Sequence, residues 1–152
     1  MKKIFFNIFV IFFLGSCGFT PIYIQEKNIN YDVQIEKVEG DRLINNIIIS
    51  QLNRSSNEKS ANKIKININT EYKKTINSKN VTGAASSFEL VSKTLINITK
   101  NDKTHDMIVT KKFIMDKNDN SVDQNNYERT VKENFASSII EQLRFKLTSL
   151  EW

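Results

Sequence analysis

A chain of 152 residues with 22 Lys and Arg, 17 Asp and Glu and a single Cys has the size of one domain and excludes an internal disulfide framework. The net charge of +5 raises nucleic acid as a partner, yet no basic block and no interleaving of basic with aromatic residues supports one. Two of the cations, Lys2 and Lys3, belong to a segment expected to be removed; 20 Lys and Arg then face 17 acids, and the remaining +3 suits anionic lipid or an acidic partner.

Residues 1–16 read as a signal peptide. Lys2 and Lys3 form its positive start, Ile4 to Leu14 is apolar apart from Asn7, and the small Gly15 and Ser16 follow. The apolar run of eleven positions is too short for a membrane-spanning helix, which needs about 20 residues. Residues 17–30 then read as Cys17 followed by an aperiodic tether with the only Pro of the chain, and residues 31–152 as a single domain.

The domain opens with alternation over Tyr31 to Val38, which predicts a half-buried strand. Gly40 ends that pattern and Asp41 can cap a helix over about Arg42 to Asn53, where Leu43, Ile44, Ile47, Ile48 and Leu52 recur at three and four residue spacing. A polar loop leads to Ile64, Ile66, Ile68, Thr70 and Tyr72, which alternate strictly with polar residues and fix the register of a second strand. The stretch from Lys73 to Ser86 carries Lys73, Lys74 and Lys79 near a turn at Gly83; it reads either as a solvated hairpin end or as a cationic tip for lipid or a partner.

Phe88 to Ile98 is a third strand with Phe88, Leu90, Ile96 and Ile98 on one face and Val91 and Leu95 on the other. Such imperfect alternation implies a bulge between Leu90 and Thr94, or apolar cover on both faces. After a turn over Lys100 to Asp106, a fourth strand sets Met107, Val109, Phe113 and Met115 against Ile108 and Ile114, so a partner on the second face is expected. A loop over residues 116–125 precedes a long amphipathic helix whose Tyr127, Val131, Phe135, Ile139, Leu143 and Leu147 recur every fourth residue, with Asp123 as one candidate cap.

These elements give an α+β fold, a two-layer sandwich with a four-stranded mixed sheet and two helices on one face, in the order β-α-β-β-β-α. Short links make an antiparallel meander, while the first βα link needs a crossover to a parallel strand.

Catalytic chemistry finds no footing. His105 is the only histidine and falls in the polar turn, and Cys17 stands at the far terminus, so neither supports a nucleophile and base. No His or Cys cluster has metal-ligand spacing, and Asp116, Asp119 and Asp123 lack the spacing, Gly and final acid of a calcium loop. The expectation is a protein that is not an enzyme and carries no cofactor other than covalent lipid.

The sharpest local signal is "LGSC", Leu14 to Cys17, which resembles the lipobox of bacterial lipoproteins. In that class the sulfur of the Cys receives diacylglycerol and its freed amine an N-acyl chain. Two or three chains at about 0.8 kcal/mol per buried CH₂ give durable anchoring where one chain does not. Gly18 stands where enteric lipoproteins retained in the inner membrane commonly have Asp, which favours delivery to the outer membrane.

With its "CGFTPIY" start, the element order, the "SSFELVSKTLINI" strand and the "NFASSIIEQLRFKL" helix, the chain from about residue 14 to 150 resembles the LPS-assembly lipoprotein family LptE. That resemblance implies an outer-membrane lipoprotein, lipidated at Cys17, that plugs and helps assemble the LptD β-barrel and helps pass lipopolysaccharide to the outer leaflet. It also makes Lys73, Lys74 and Lys79 candidates for contact with lipid A phosphates. Alternatives are an accessory lipoprotein of another envelope machine, such as barrel assembly or a secretin pilot, and a lipid-carrying periplasmic lipoprotein.

Overall fold

The computed structural model describes residues 31–150, so the signal peptide, Cys17 and the tether expected over residues 1–30 lie outside the described residues. Strand β1 spans Asp32–Gly40, helix α1 Arg42–Ser55, strands β2, β3 and β4 Lys63–Lys79, Ala85–Lys100 and Lys103–Asp116, and helix α2 Ser121–Ser149. The strands lie side by side in sequence order; β1 runs parallel to β2, and the β2–β3 and β3–β4 pairs are antiparallel. This is the expected mixed sheet, with α1 as the crossover that a parallel pair requires.

Local chemistry sets the helix ends. The Asp41 carboxylate accepts from the Ile44 N–H at 3.0 Å and caps α1, while Arg54 lies in its last turn, where a cation complements the helix dipole. Helix α2 begins earlier than the periodicity predicts. Asn120 is its cap, accepting from the Val122 N–H at 2.9 Å, and Asp123 lies inside the first turn, favourably placed at the positive end of the helix. The first buried residue of α2 is Gln124, whose Oε1 accepts from the Asn118 N–H at 2.5 Å, so this turn shows no apolar repeat.

Both helices lie on one face of the sheet. Ile44, Ile48 and Leu52 of α1 and Ile139, Ile140, Leu143 and Leu147 of α2 pack on Ile64, Ile66, Ile68, Ile96 and Ile98. A second cluster, Leu90, Met115, Val131 and Phe135, sits under the first half of α2 and is flanked by Tyr72 and Phe88. Burying aliphatic side chains of this size contributes about 1.5–3 kcal/mol each before chain entropy opposes it.

Strand β3 contains no bulge between Leu90 and Thr94; its pairing with β4 runs without interruption from Ser87↔Asp116 to Lys100↔Lys103. Instead, Ser92 and Thr94 take buried places in the inward row, and the Thr94 hydroxyl lies 3.0 Å from that of Thr70 on β2. A threonine pair across the strands satisfies both hydroxyls, so polar residues interrupt the apolar alternation while the pleat continues. The irregularities fall elsewhere, between Ile35 and Lys37 of β1 and between Ile76 and Lys79 of β2.

Two turns are tighter than expected. The β3–β4 link shrinks to Asn101 and Asp102, both at positive φ (47° and 65°), the geometry a two-residue hairpin requires and that Asn and Asp tolerate. His105 therefore stands within β4, opposite Ile98, and not in a turn. Strand β2 likewise continues through Lys79, so the three candidate lysines lie on a strand that ends in the short Asn80 to Ala84 turn.

Candidate functional site

Cys17, the candidate lipidation residue, lies outside the described residues. Lys73, Lys74 and Lys79 lie on the distal end of the β2–β3 hairpin, where every β2 residue from Lys73 onward is exposed. Asn80 closes the tip: its side-chain oxygen accepts from the Thr82 N–H at 3.0 Å, the Thr82 hydroxyl at 2.7 Å and the Ala84 N–H at 2.9 Å. Val81 at the apex is fully exposed.

Pleating sends neighbouring side chains to opposite faces, so the structure does not gather the lysines into one patch. Lys73, opposite Val91, projects from the outer face, with Glu71 at 4.0 Å as its one ion-pair partner among the described residues. Lys74, opposite Leu90, turns toward α2, where its Nζ lies 2.6 Å from a Glu128 carboxylate oxygen and 4.7 Å from the Phe88 ring centre. Lys79, opposite Ala85 beside the turn, makes no ion pair among the described residues.

Glu128 is the centre of a polar network that the sequence reading missed. Its carboxylate accepts from the Tyr72 hydroxyl at 2.8 Å as well as from Lys74. Next to it, the Lys132 ammonium lies 3.8 Å from the Tyr72 ring centre and donates to Asp41 at 2.8 Å, tying the α1 cap to α2. Burial pushes the Glu128 carboxyl up, but hydrogen bonds from Lys74 and Tyr72, with the charges of Lys74 and Lys132, outweigh it and hold the group below the usual carboxylate range. Burial first, and then the Glu128 partner, push the Tyr72 phenol far above its ordinary range. The arrangement locks the hairpin base to both helices. The available signal was that Glu128 and Lys132 flank Val131 on α2 while Tyr72 ends the inward row of β2.

The outer face of the sheet carries the second candidate surface. Leu95 and Ile108 stand opposite one another, and Ile108 and Ile114 are 61% and 58% exposed, so the apolar second face expected from the sequence is present and uncovered among the described residues. Around Leu95 and Ile108, a shallow depression of about 120 Å³ is lined further by Asn69, Glu71 and Lys93. A larger groove of about 440 Å³ runs along the β4 margin between Met107 and Ile108 and the Glu141, Gln142 and Phe145 side of α2. Asp106 and Lys146 complete the lining of this groove, which therefore mixes both signs of charge with its apolar rim.

No cluster of three or more His, Cys, Asp or Glu among the described residues could hold a metal ion. No described helix is long and apolar enough to cross a membrane.

No protein-family model and no curated protein matches the chain. Among solved structures, the fold is similar to that of rare lipoprotein B from Shewanella oneidensis, with a TM-score of 0.57 at 9% identity over 77% of this chain and 100% of that one. It is also similar, at a TM-score of 0.49 in each case, to an uncharacterized lipoprotein B from Nitrosomonas europaea (15% identity, 80% of this chain and 90% of that one) and to a putative lipoprotein from Caulobacter crescentus (13%, 80% and 90%). At 9% identity over the whole of the first of these chains, the likeness establishes the shared α+β fold.

Proposed function

We propose that this chain is an outer-membrane lipoprotein, held by diacylglycerol and an N-acyl chain on Cys17, that occupies the LptD β-barrel, assists its assembly and helps deliver lipopolysaccharide to the outer leaflet. The observation that carries the reading is the conjunction of the "LGSC" lipobox with a domain whose fold is similar to that of rare lipoprotein B over the whole of that chain and 77% of this one. The uncovered apolar row on the sheet supports it, because a domain enclosed by a barrel wall need not keep both sheet faces polar.

The test is to purify the acylated protein from envelopes. Cys17→Ala is expected to abolish acyl labelling and leave the precursor unprocessed, and the wild-type protein is expected to copurify with the LptD barrel. Persistent labelling of the variant, or recovery of barrel-assembly subunits with no LptD, would sink the reading.

Lys73, Lys74 and Lys79 are proposed to meet lipid A phosphates as point charges. Lys73 reaches solvent directly and Lys79 is exposed beside the turn, whereas Lys74 reaches a phosphate only by leaving Glu128. The double change Lys73→Glu and Lys79→Glu therefore isolates recognition from folding. It is expected to weaken lipopolysaccharide binding about tenfold or more with an unchanged far-UV spectrum, as the loss of two charge-assisted contacts implies. Equal binding by the variant would return the hairpin end to a solvated loop.

A further inference from the structure

Among the described residues both margins of the sheet are open, but they differ in kind. Strand β1 is nine residues long and breaks register at Glu36, the irregularity by which proteins blunt an edge. Strand β4 is fourteen residues long, has no Pro and keeps one register with β3 throughout. Its outward hydrogen-bonding groups can be identified. The Lys117 N–H donates to the Ser86 carbonyl at 3.0 Å, and Lys117 and Ser86 are directly opposite in the register that pairs Ser87 with Asp116. In an antiparallel ladder, bonded and non-bonded residues alternate. The odd-numbered residues of β4 therefore bond β3, and the N–H and C=O of Thr104, Asp106, Ile108, Thr110, Lys112 and Ile114 point away from the sheet.

We infer that this edge pairs with β4 of a second copy of the chain, antiparallel about a twofold axis at Val109, to make a continuous eight-stranded sheet. Self-complementarity of the strand carries the assignment. About that axis Asp106 faces Lys112 of the second copy on the outer side, and symmetry makes the pair twice. Ile108 faces Thr110, Thr104 faces Ile114, and no like charges meet between Lys103 and Met115. Moving the axis to Ile108 or Thr110 loses both ion pairs. Each of these charges is only lightly held within its own chain: Asp106 accepts one bond from Asn97, and Lys112 lies 3.9 Å from Glu89.

The inner side fits as well. The same register sets Lys111 of the second copy opposite Met107, where the groove at the β4 margin presents the Asp106 and Glu141 carboxylates, one cation, Lys146, and the 75% exposed ring of Phe145. An added strand would cover that ring with the lysine stem and leave its ammonium beside the Glu141 carboxylate. This inference does not rest on the barrel reading: the pairing belongs to the chain outside a barrel, because an enclosing wall would exclude a second copy from the β4 edge.

Sedimentation equilibrium of the purified full chain in density-matched detergent tests it. The wild type is expected to approach twice the protomer mass as concentration rises. Thr110→Pro removes an N–H that points outward, a change an edge strand accommodates, so it is expected to give a monomer with an unchanged far-UV spectrum. Asp106→Lys and Lys112→Asp should each raise the dimer dissociation constant about tenfold or more, and the two changes together should restore it. A monomer at every concentration overturns the assignment, as does a dimer that Thr110→Pro leaves intact or a charge swap without rescue. Copurification of LptD is scored separately, so failure here leaves the barrel reading standing and the reverse also holds.

Discussion

Gly40→Ala is expected to destabilise the domain by about 3 kcal/mol or more, visible as a large drop in the urea midpoint and a fall in Tm of about 10 °C or more. Two effects combine at this residue. Gly40 has φ +92°, where a side chain is strained, and a Cβ placed there would lie 1.9 Å from the Thr70 carbonyl oxygen. That oxygen is fixed from two sides, because Thr70 pairs with Gly40 across the parallel strands and its carbonyl accepts from the Asp41 N–H at 2.9 Å. Relief would have to move the end of β1 or the cap of α1, and Asp41 also holds Lys132 of α2. Gly83 is the internal control. Its φ of +83° carries similar backbone strain, but nothing lies within 4 Å of its added Cβ, so Gly83→Ala should cost only about 1 kcal/mol. Equal midpoints for the two variants would mean that the close approach to Thr70 contributes nothing.

How far the sequence foretold this architecture depends on where apolar residues alone set the pattern. Ile64, Ile66 and Ile68 alternate with polar residues in a row that only one register can bury, and Asp41 stands directly before a helical repeat, so β2 and the start of α1 were legible. The errors fall where polar side chains take buried places. Thr94 looks like a break in β3 because its hydroxyl pair with Thr70 across the strands has no hydropathy signature, and Ser92, small enough to be buried without a hydrogen-bond partner for its hydroxyl, lengthens the apparent gap. Gln124 hides the first turn of α2 for the same reason, since its burial rests on bonds to Asn118 and Met115 that a period count cannot see. The candidate site divides in the same manner. The apolar outer row was readable from Val91, Leu95, Ile108 and Ile114, whereas the pairing of Lys74 with Glu128 joins residues 54 apart in the chain and follows from tertiary structure alone.

Phe135→Ala should cost about 3–5 kcal/mol, the range for deleting a buried aromatic side chain. Phe135 is 6% exposed and packs with Leu90, Met115 and Val131 in the smaller of the two clusters. The larger cluster binds α2 only from Ala136 onward, so the first half of this 29-residue helix depends for its apolar attachment on Phe135 and Val131, with the half-exposed Tyr127 ring adding an edge contact to Phe113 at 5.9 Å. The loss should therefore be uneven. Amide exchange is expected to accelerate most over residues 121–135 of α2 and the facing ends of β3 and β4, with less change around Ile139 and Leu143, because local opening follows the weakest packed unit. The Tyr72 and Lys74 bonds to Glu128 lie in that same half and cannot hold it alone, since they are partly solvated and exchangeable for water. Phe145→Ala supplies the contrast, because a ring 75% exposed should shift monomer stability by no more than about 0.5 kcal/mol. A Phe135→Ala midpoint within that same margin, or exchange that rises evenly along α2, would show that this helix is held as one unit by the larger cluster.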